Sequence, residues 1–93
     1  MAIFNAPQPG PTKAELAERL RSVRLDRFGE YGGPVLAWRL GVPARTWLNY
    51  ESGVSIPGEL LLAFIEVTDV EPRWLLTGLG ARYRHRLGDL AGR

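Results

Sequence analysis

The chain contains no cysteine and only one histidine, His85. Without thiols it forms no disulfide bonds and offers no thiolate ligands for zinc or an iron–sulfur cluster. His85 has no second histidine to share a metal ion, and no nucleophile or positioned base stands near it in the sequence. The carboxylates are scattered over the chain without a glycine-rich loop beside them. We therefore expect no metal, no cofactor and no enzymatic activity.

Long apolar runs are also missing. No run approaches the ~20 residues that a membrane-spanning helix needs. The first residues, MAIFNAPQPGP, lack the basic start and long apolar stretch of a secretory signal. Three prolines and one glycine in this stretch indicate an extended, flexible lead-in over residues 1–11. The sequence thus predicts a cytoplasmic protein without a membrane span.

The positive charge is concentrated at the C-terminus. The formal net charge is +2, but residues 81–93 hold four arginines against one aspartate. A modest basic excess is compatible with nucleic-acid binding without requiring it. Arg82, Arg84 and Arg86 are candidate phosphate contacts, and the alternative is an ordinary solvated end. His85, in the same segment, is not expected to bind a metal.

The spacing of apolar residues predicts one all-α domain, a compact bundle of about five helices. Thr12 and Glu15 form a capping box for a first helix that ends near Gly29. Arg19, Arg21 and Arg24 are expected on its outer faces. A fourth helix, opening at Pro57, is apolar nearly all round and is predicted to be the central buried one. The predicted segments are the lead-in 1–11, a helical domain over 12–80 and a basic tail over 81–93. Within the domain the second helix is predicted near 34–40, the third near 43–52 and the fifth from Pro72.

Residues 35–53, VLAWRLGVPARTWLNYESG, contain two short helical patterns separated by Gly41. Because glycine tolerates positive φ, this is the sequence form of a helix-turn-helix. The order of motifs from Leu16 to Gly80 resembles the lambda-repressor-like (Cro/C1-type) helix-turn-helix family. The residues that carry this resemblance are Leu36-Ala37-x-x-Leu40-Gly41-Val42, Thr46-Trp47-x-x-Tyr50-Glu51-x-Gly53, Pro57, Val70 and Trp74-Leu75-Leu76-Thr77-Gly78.

The resemblance implies that the third helix enters the major groove of double-stranded DNA. Trp47 and Tyr50 would hold that helix against the core, and its outer face would contact the bases. The implied base contacts are Ala44, Arg45, Leu48 and Asn49. Arginine pairs with guanine O6 and N7, and asparagine with adenine N6 and N7. Leu48 stands where the family often has a polar residue, and would meet a thymine methyl group or weaken specificity.

Backbone contacts follow from the same resemblance. The implied phosphate contacts are Gly33, Thr46, Ser52 and Ser55. The chain departs from the family at Gly32-Gly33, where many members have Ser-Gln at the start of the second helix. It departs again at Pro43, where a capping serine or threonine is usual.

Domains of this family usually bind as symmetric dimers. The expected homodimer surface is Leu76, Leu79, Tyr83 and Leu87. The predicted function is sequence-specific DNA binding by a transcriptional regulator. One alternative is a protein-interaction module that keeps the fold without reading DNA, and another is an antitoxin paired with a toxin. Trp47 and Trp74 are expected in the core. For Trp38 we expect packing under the first helix or the loop after it, the alternative being a partner surface.

Overall fold

The computed structural model describes residues 10–84, so His85, Arg86, Leu87 and the first nine residues lie outside the described part. Within it the chain forms five helices and no strand, and the all-α prediction is confirmed. An isolated antiparallel bridge joins Val70 to Tyr83. The helices are α1 (Lys13–Phe28), α2 (Gly33–Leu40), α3 (Ala44–Glu51), α4 (Gly58–Thr68) and α5 (Pro72–Thr77). Between residues 10 and 84, no helix is both long enough and apolar enough to cross a membrane.

α1 begins and ends as its local sequence predicts. The Thr12 hydroxyl accepts a hydrogen bond from the Glu15 backbone N–H at 3.0 Å, and the Glu15 carboxylate accepts one from the Thr12 N–H at 2.9 Å. This is a complete capping box, which satisfies two otherwise free backbone donors. At the other end Gly29 has a φ of 85°, and its N–H donates to the Leu25 carbonyl at 3.0 Å.

The turn between α2 and α3 forms at Gly41. This glycine is left-handed, with φ 76° and ψ 27°, and its N–H donates to the Trp38 carbonyl at 3.1 Å. The next N–H, of Val42, donates to the Ala37 carbonyl at 3.0 Å. Pro43 then caps α3 through its backbone, because its carbonyl accepts from the Trp47 N–H at 3.2 Å. The structure therefore has two short helices joined by a tight turn at Gly41.

Trp47 lies at the centre of the core with no solvent exposure. Its ring stacks on Phe64 at 5.3 Å between centroids and meets Tyr50 edge-on at 6.0 Å. Such aromatic pairs add stability beyond the area they bury. The predicted core positions of Trp47 and Trp74 are confirmed. The other buried apolar residues of this core are Leu20, Val23, Leu36, Ala37, Val70 and Leu75.

The prediction that α4 is the central buried helix is wrong. Only Phe64 and Thr68 of this helix are buried, and Leu62 is 68% exposed. α4 packs through one side against α1 and α2. Among residues 10–84 the main helix contacts of α4 are those with α1 and α2, and Leu62 on the other side remains in solvent.

Residues 82–84 fold back onto the helical body. The Glu71 N–H donates to the Arg82 carbonyl at 2.7 Å, and the Arg84 N–H donates to the Asp69 carbonyl at 2.9 Å. These two bonds flank the bridge between Val70 and Tyr83. The packed body therefore continues past residue 80, where the sequence had placed the start of a tail.

Candidate nucleic-acid interface

The outer face of α3 carries the side chains that the sequence assigned to base contacts. Arg45, Leu48 and Asn49 are exposed, and Ala44 is half-buried at the start of the helix. Their spacing places them on one side, while Trp47 and Tyr50 are buried on the other. The four predicted residues are thus brought together on one accessible helix face.

α3 is tied to α1 by a buried ion pair. Arg24 donates to the Glu51 carboxylate through Nε at 2.9 Å and Nη2 at 2.8 Å. Nη1 of Arg24 also donates to the carbonyls of Gly29 and Glu30, each at 2.9 Å. The indole N–H of Trp47 donates to the same carboxylate. One guanidinium therefore fixes the end of α3, the end of α1 and the loop before α2 relative to each other.

The ion pair is shielded from water. The Arg24 and Glu51 side chains are 8% and 6% exposed. The hydrogen bond to Glu51 raises the pKa of the Arg24 guanidinium more than burial lowers it. The expectation that Arg24 lies on an outer face is wrong. Its position four residues after Leu20 puts it on the apolar stripe of α1, which is the signal that could have placed it inside.

Arg19 also differs from expectation. It is half-buried, and its guanidinium donates to the carbonyls of Leu75 at 2.9 Å and Leu76 at 3.3 Å. These carbonyls lie in the last turn of α5, where backbone acceptors lack helical partners. Arg19 therefore joins α1 to the end of α5. Arg21 is exposed, as predicted.

The start of α2 explains one departure from the family pattern. A Cβ atom on Gly32 would lie 2.1 Å from the Phe28 carbonyl oxygen and 2.5 Å from the Phe28 Cβ. The serine that the resemblance leads one to expect at this position therefore does not fit here. Gly33 follows as the first residue of α2 and is buried, with no side-chain cap on the helix.

The other candidate phosphate contacts are in different environments. Thr46 is half-buried and lies on α3. The Ser52 hydroxyl donates to the Leu48 carbonyl at 3.0 Å, so its single proton is used inside the protein. Ser55 is exposed in the connection before α4, and lines a surface pocket together with residues of α1. Only part of the predicted set is therefore grouped with the α3 face.

The described arginines of the predicted tail make contacts within the chain. Arg82 lies 4.5 Å above the Trp74 ring and 3.9 Å from Asp26. Arg84 pairs with Asp69 at 2.8 Å and approaches Glu66 at 3.8 Å. The backbone pairing of residues 82–84 brings these side chains onto the domain. Their role as phosphate contacts stays a prediction.

Tyr83 is placed differently from the predicted dimer surface. Its hydroxyl donates to Asp26 at 2.6 Å, and the guanidinium of Arg27 lies 3.9 Å from its ring centre. Pairing of its backbone with Val70 directs it toward α1, where it is half-buried. Its place in a dimer surface stays a prediction. Leu76 and Leu79 are exposed, as that surface would require.

Three large apolar side chains before and on α2 are exposed. Tyr31 is 88% exposed and Trp38 is 78% exposed, and Val35 between them is also exposed. The expected packing of Trp38 under α1 or the loop is wrong, because Trp38 lies off the buried Leu36-Ala37 side of α2. The signal was the helical spacing of Val35 and Trp38, three residues apart and outside that stripe.

The segment 30–55, which contains α2 and α3, carries a weak positive charge. Between residues 30 and 55 the charged side chains are Glu30, Arg39, Arg45 and Glu51. Glu51 is neutralised by Arg24, which leaves two exposed cations against one exposed carboxylate. The described residues contain no cluster of three or more potential metal ligands.

Comparison with protein-family models, curated proteins and solved structures found no match to this chain.

Proposed function

We propose that this chain is a sequence-specific double-stranded DNA-binding protein with a lambda-repressor-like domain, and that it regulates transcription. The observation that carries the proposal is the row of Arg45, Leu48 and Asn49 exposed on α3. A rigid frame supports this row, because the Gly41 turn and the Arg24–Glu51 ion pair fix α3 on the domain. A recognition helix needs both features, accessible polar side chains and a fixed angle to the body.

In this proposal Arg45 pairs with a guanine and Asn49 with an adenine. Thr46, which is half-buried on α3, contacts a phosphate beside the groove. The protein acts as a cytoplasmic homodimer on two half-sites, without an enzymatic reaction and without a cofactor. The exposed Leu76 and Leu79 belong to the proposed dimer surface.

The test is selection of binding sites from a random pool of duplex DNA, followed by affinity measurements on the enriched site. We expect Arg45→Ala to weaken binding by about 1–3 kcal/mol and to remove the base preference at one position. Arg21→Ala is the matched control, since Arg21 is an exposed arginine on α1. Failure to enrich any motif, together with equal affinity of the two variants, would refute the proposal.

The dependence of affinity on salt concentration provides a second test on the same DNA site. Each phosphate contact contributes about −0.9 to the slope of log K against log salt concentration. A slope near zero would show that phosphates do not contribute to binding.

A second function is favoured by one observation, the exposed apolar side chains of Tyr31, Val35 and Trp38. Exposed apolar patches often mark protein-binding surfaces. In this alternative the domain binds a protein, for instance a toxin that it neutralises as an antitoxin. The test is co-purification with the product of a neighbouring gene. Trp38→Ala should abolish the complex and Arg45→Ala should leave it intact.

A further inference from the structure

An apolar groove lies where the start of α1 meets α4 and α5. Its volume is about 320 Å³. All its lining residues are apolar: Pro11, Leu16, Leu61, Ile65, Pro72, Leu75 and Leu76. Leu76 is 54% exposed, so the groove is open to solvent on the α5 side. Because apolar surface is unfavourable in water, the groove favours an apolar occupant.

The described part of the chain begins at the edge of this groove. Pro11 is one of the lining residues, and a Cβ atom on Gly10 would lie 3.5 Å from Cδ1 of Leu76. This is an ordinary contact distance, so Gly10 packs against the α5 wall. Pro11 also lines a second pocket, but that one includes the polar side chains of Thr12 and Lys13. The chain therefore enters the domain on the apolar side, next to α5.

The residues before Gly10 match the groove in composition. Their sequence is MAIFNAPQP, which contains no charged side chain and has two adjacent large apolar residues, Ile3 and Phe4. Phe4 lies six residues before Gly10, and six extended residues span at most ~20 Å. The α5 wall is a helix of six residues, which is ~9 Å long. Phe4 can therefore reach any part of the groove.

We infer that residues 1–9 of the same chain cover this groove, with the Phe4 ring packed against Ile65 and Leu76. Such packing removes apolar surface of both the phenylalanine and the groove from water. A segment attached through a short linker has an effective concentration of roughly millimolar at a neighbouring site, so a weak apolar contact is sufficient. The inference concerns the N-terminal segment alone and does not depend on DNA binding.

Nuclear magnetic resonance tests the inference on the whole 93-residue chain. With ¹³C-labelled leucine and isoleucine methyl groups, the Phe4 ring should give nuclear Overhauser effects to the methyl groups of Ile65 and Leu76. A sample that mixes labelled with unlabelled protein distinguishes contacts within one chain from contacts between two chains. We expect contacts within one chain, independent of protein concentration. Their absence would overturn the inference, and contacts between chains alone would assign the groove to a second copy.

Urea denaturation measures what the contact contributes to stability. Phe4→Ser should lower the equilibrium constant of folding by about tenfold. This factor corresponds to ~1.4 kcal/mol, which is reasonable for the partial burial of one phenylalanine. Tyr31→Ser is the matched control, because Tyr31 is an aromatic residue that is 88% exposed, and it should change the constant by less than about 2-fold. Equal effects of the two variants would contradict the inference.

A double-mutant cycle connects this loss to the groove. Leu76→Ala removes part of the α5 wall, so its combination with Phe4→Ser should lose less stability than the sum of the two single losses. Leu62→Ala is the control partner, because Leu62 is an exposed leucine of α4 outside the groove lining. Its loss should add to that of Phe4→Ser. Additive losses in both cycles would show that Phe4 does not contact the groove.

Discussion

Arg24 and Glu51 form a bidentate ion pair in which each side chain is more than nine-tenths buried. The pair connects the third quarter of α1 to the last residue of α3, and Trp47 donates its indole N–H to the same carboxylate. The orientation of the outer α3 face therefore depends on a polar contact inside the domain. In energetic terms each partner makes the burial of the other tolerable.

Removing one charge of this pair should destabilise the fold strongly. Glu51→Gln leaves the Arg24 guanidinium buried without a counter-charge, and such losses amount to about 3–5 kcal/mol. Urea denaturation followed by circular dichroism measures the free energy of unfolding. Glu59→Gln, at an exposed position of α4, is the control and should change it by less than about 0.5 kcal/mol. Equal stability of the two variants would contradict the structural role of the pair.

Gly32 and Gly41 should respond differently to the same substitutions. At Gly32 φ is −90°, so the penalty for Gly32→Ala comes only from the contact with Phe28, at about 1–3 kcal/mol. At Gly41 there is open space but φ is 76°, so Gly41→Ala should lose about 1–2 kcal/mol through backbone strain.

Asparagine separates the two causes, because it tolerates the left-handed conformation. Gly41→Asn should recover part of the stability lost in Gly41→Ala, whereas Gly32→Asn should be no better than Gly32→Ala. Thermal unfolding of the four variants gives the comparison. A higher stability of Gly32→Asn than of Gly32→Ala would show that the contact with Phe28 relaxes easily.

Local signals predicted most of the fold. The capping box at Thr12 and the turn at Gly41 depend on residues close in sequence, and both form as expected. The outward position of Arg45 and Asn49 follows from helical spacing alone. These features needed no knowledge of which helices pack together.

The errors arose where tertiary packing decides. Arg24 was placed outside by its charge, yet it meets Glu51 from a helix twenty-seven residues later in the chain. The contact of Tyr83 with Asp26 was not foreseen either, because a backbone bridge to Val70 determines the direction of Tyr83. For Leu62 apolar character suggested burial, yet it lies on the side of α4 away from the buried Phe64 and Thr68. No periodicity in the sequence carries such long-range information.

The contact between Tyr83 and Asp26 should make stability depend on pH above neutrality. Burial, then the hydrogen bond to Asp26, raises the pKa of Tyr83 from 10.0 to about 12. Because the folded pKa is the higher one, this contribution is complete below pH 10 and is lost as the pH rises through 12. Urea midpoints should therefore fall between pH 10 and pH 12 in the wild type.

Tyr83→Phe lacks the titrating group and provides the control for that measurement. It should be slightly less stable than the wild type at pH 9, through loss of the hydrogen bond to Asp26. The difference between the two proteins should then shrink as the pH approaches 12. A difference that stays constant over this range would show that the tyrosine hydroxyl does not titrate with folding.

The proposed homodimer makes a prediction at Leu79, which is 73% exposed just after α5. Leu79→Glu places a charge on that surface and should shift the protein to monomer in sedimentation equilibrium, because an unpaired carboxylate is unfavourable in an apolar interface. Affinity for a palindromic site should fall more than affinity for a single half-site. Leu62→Glu, a similarly exposed leucine on α4, should leave the oligomeric state unchanged. A wild-type protein that stays monomeric with and without palindromic DNA would rule out this dimer, and equal dissociation by the two variants would place its interface elsewhere.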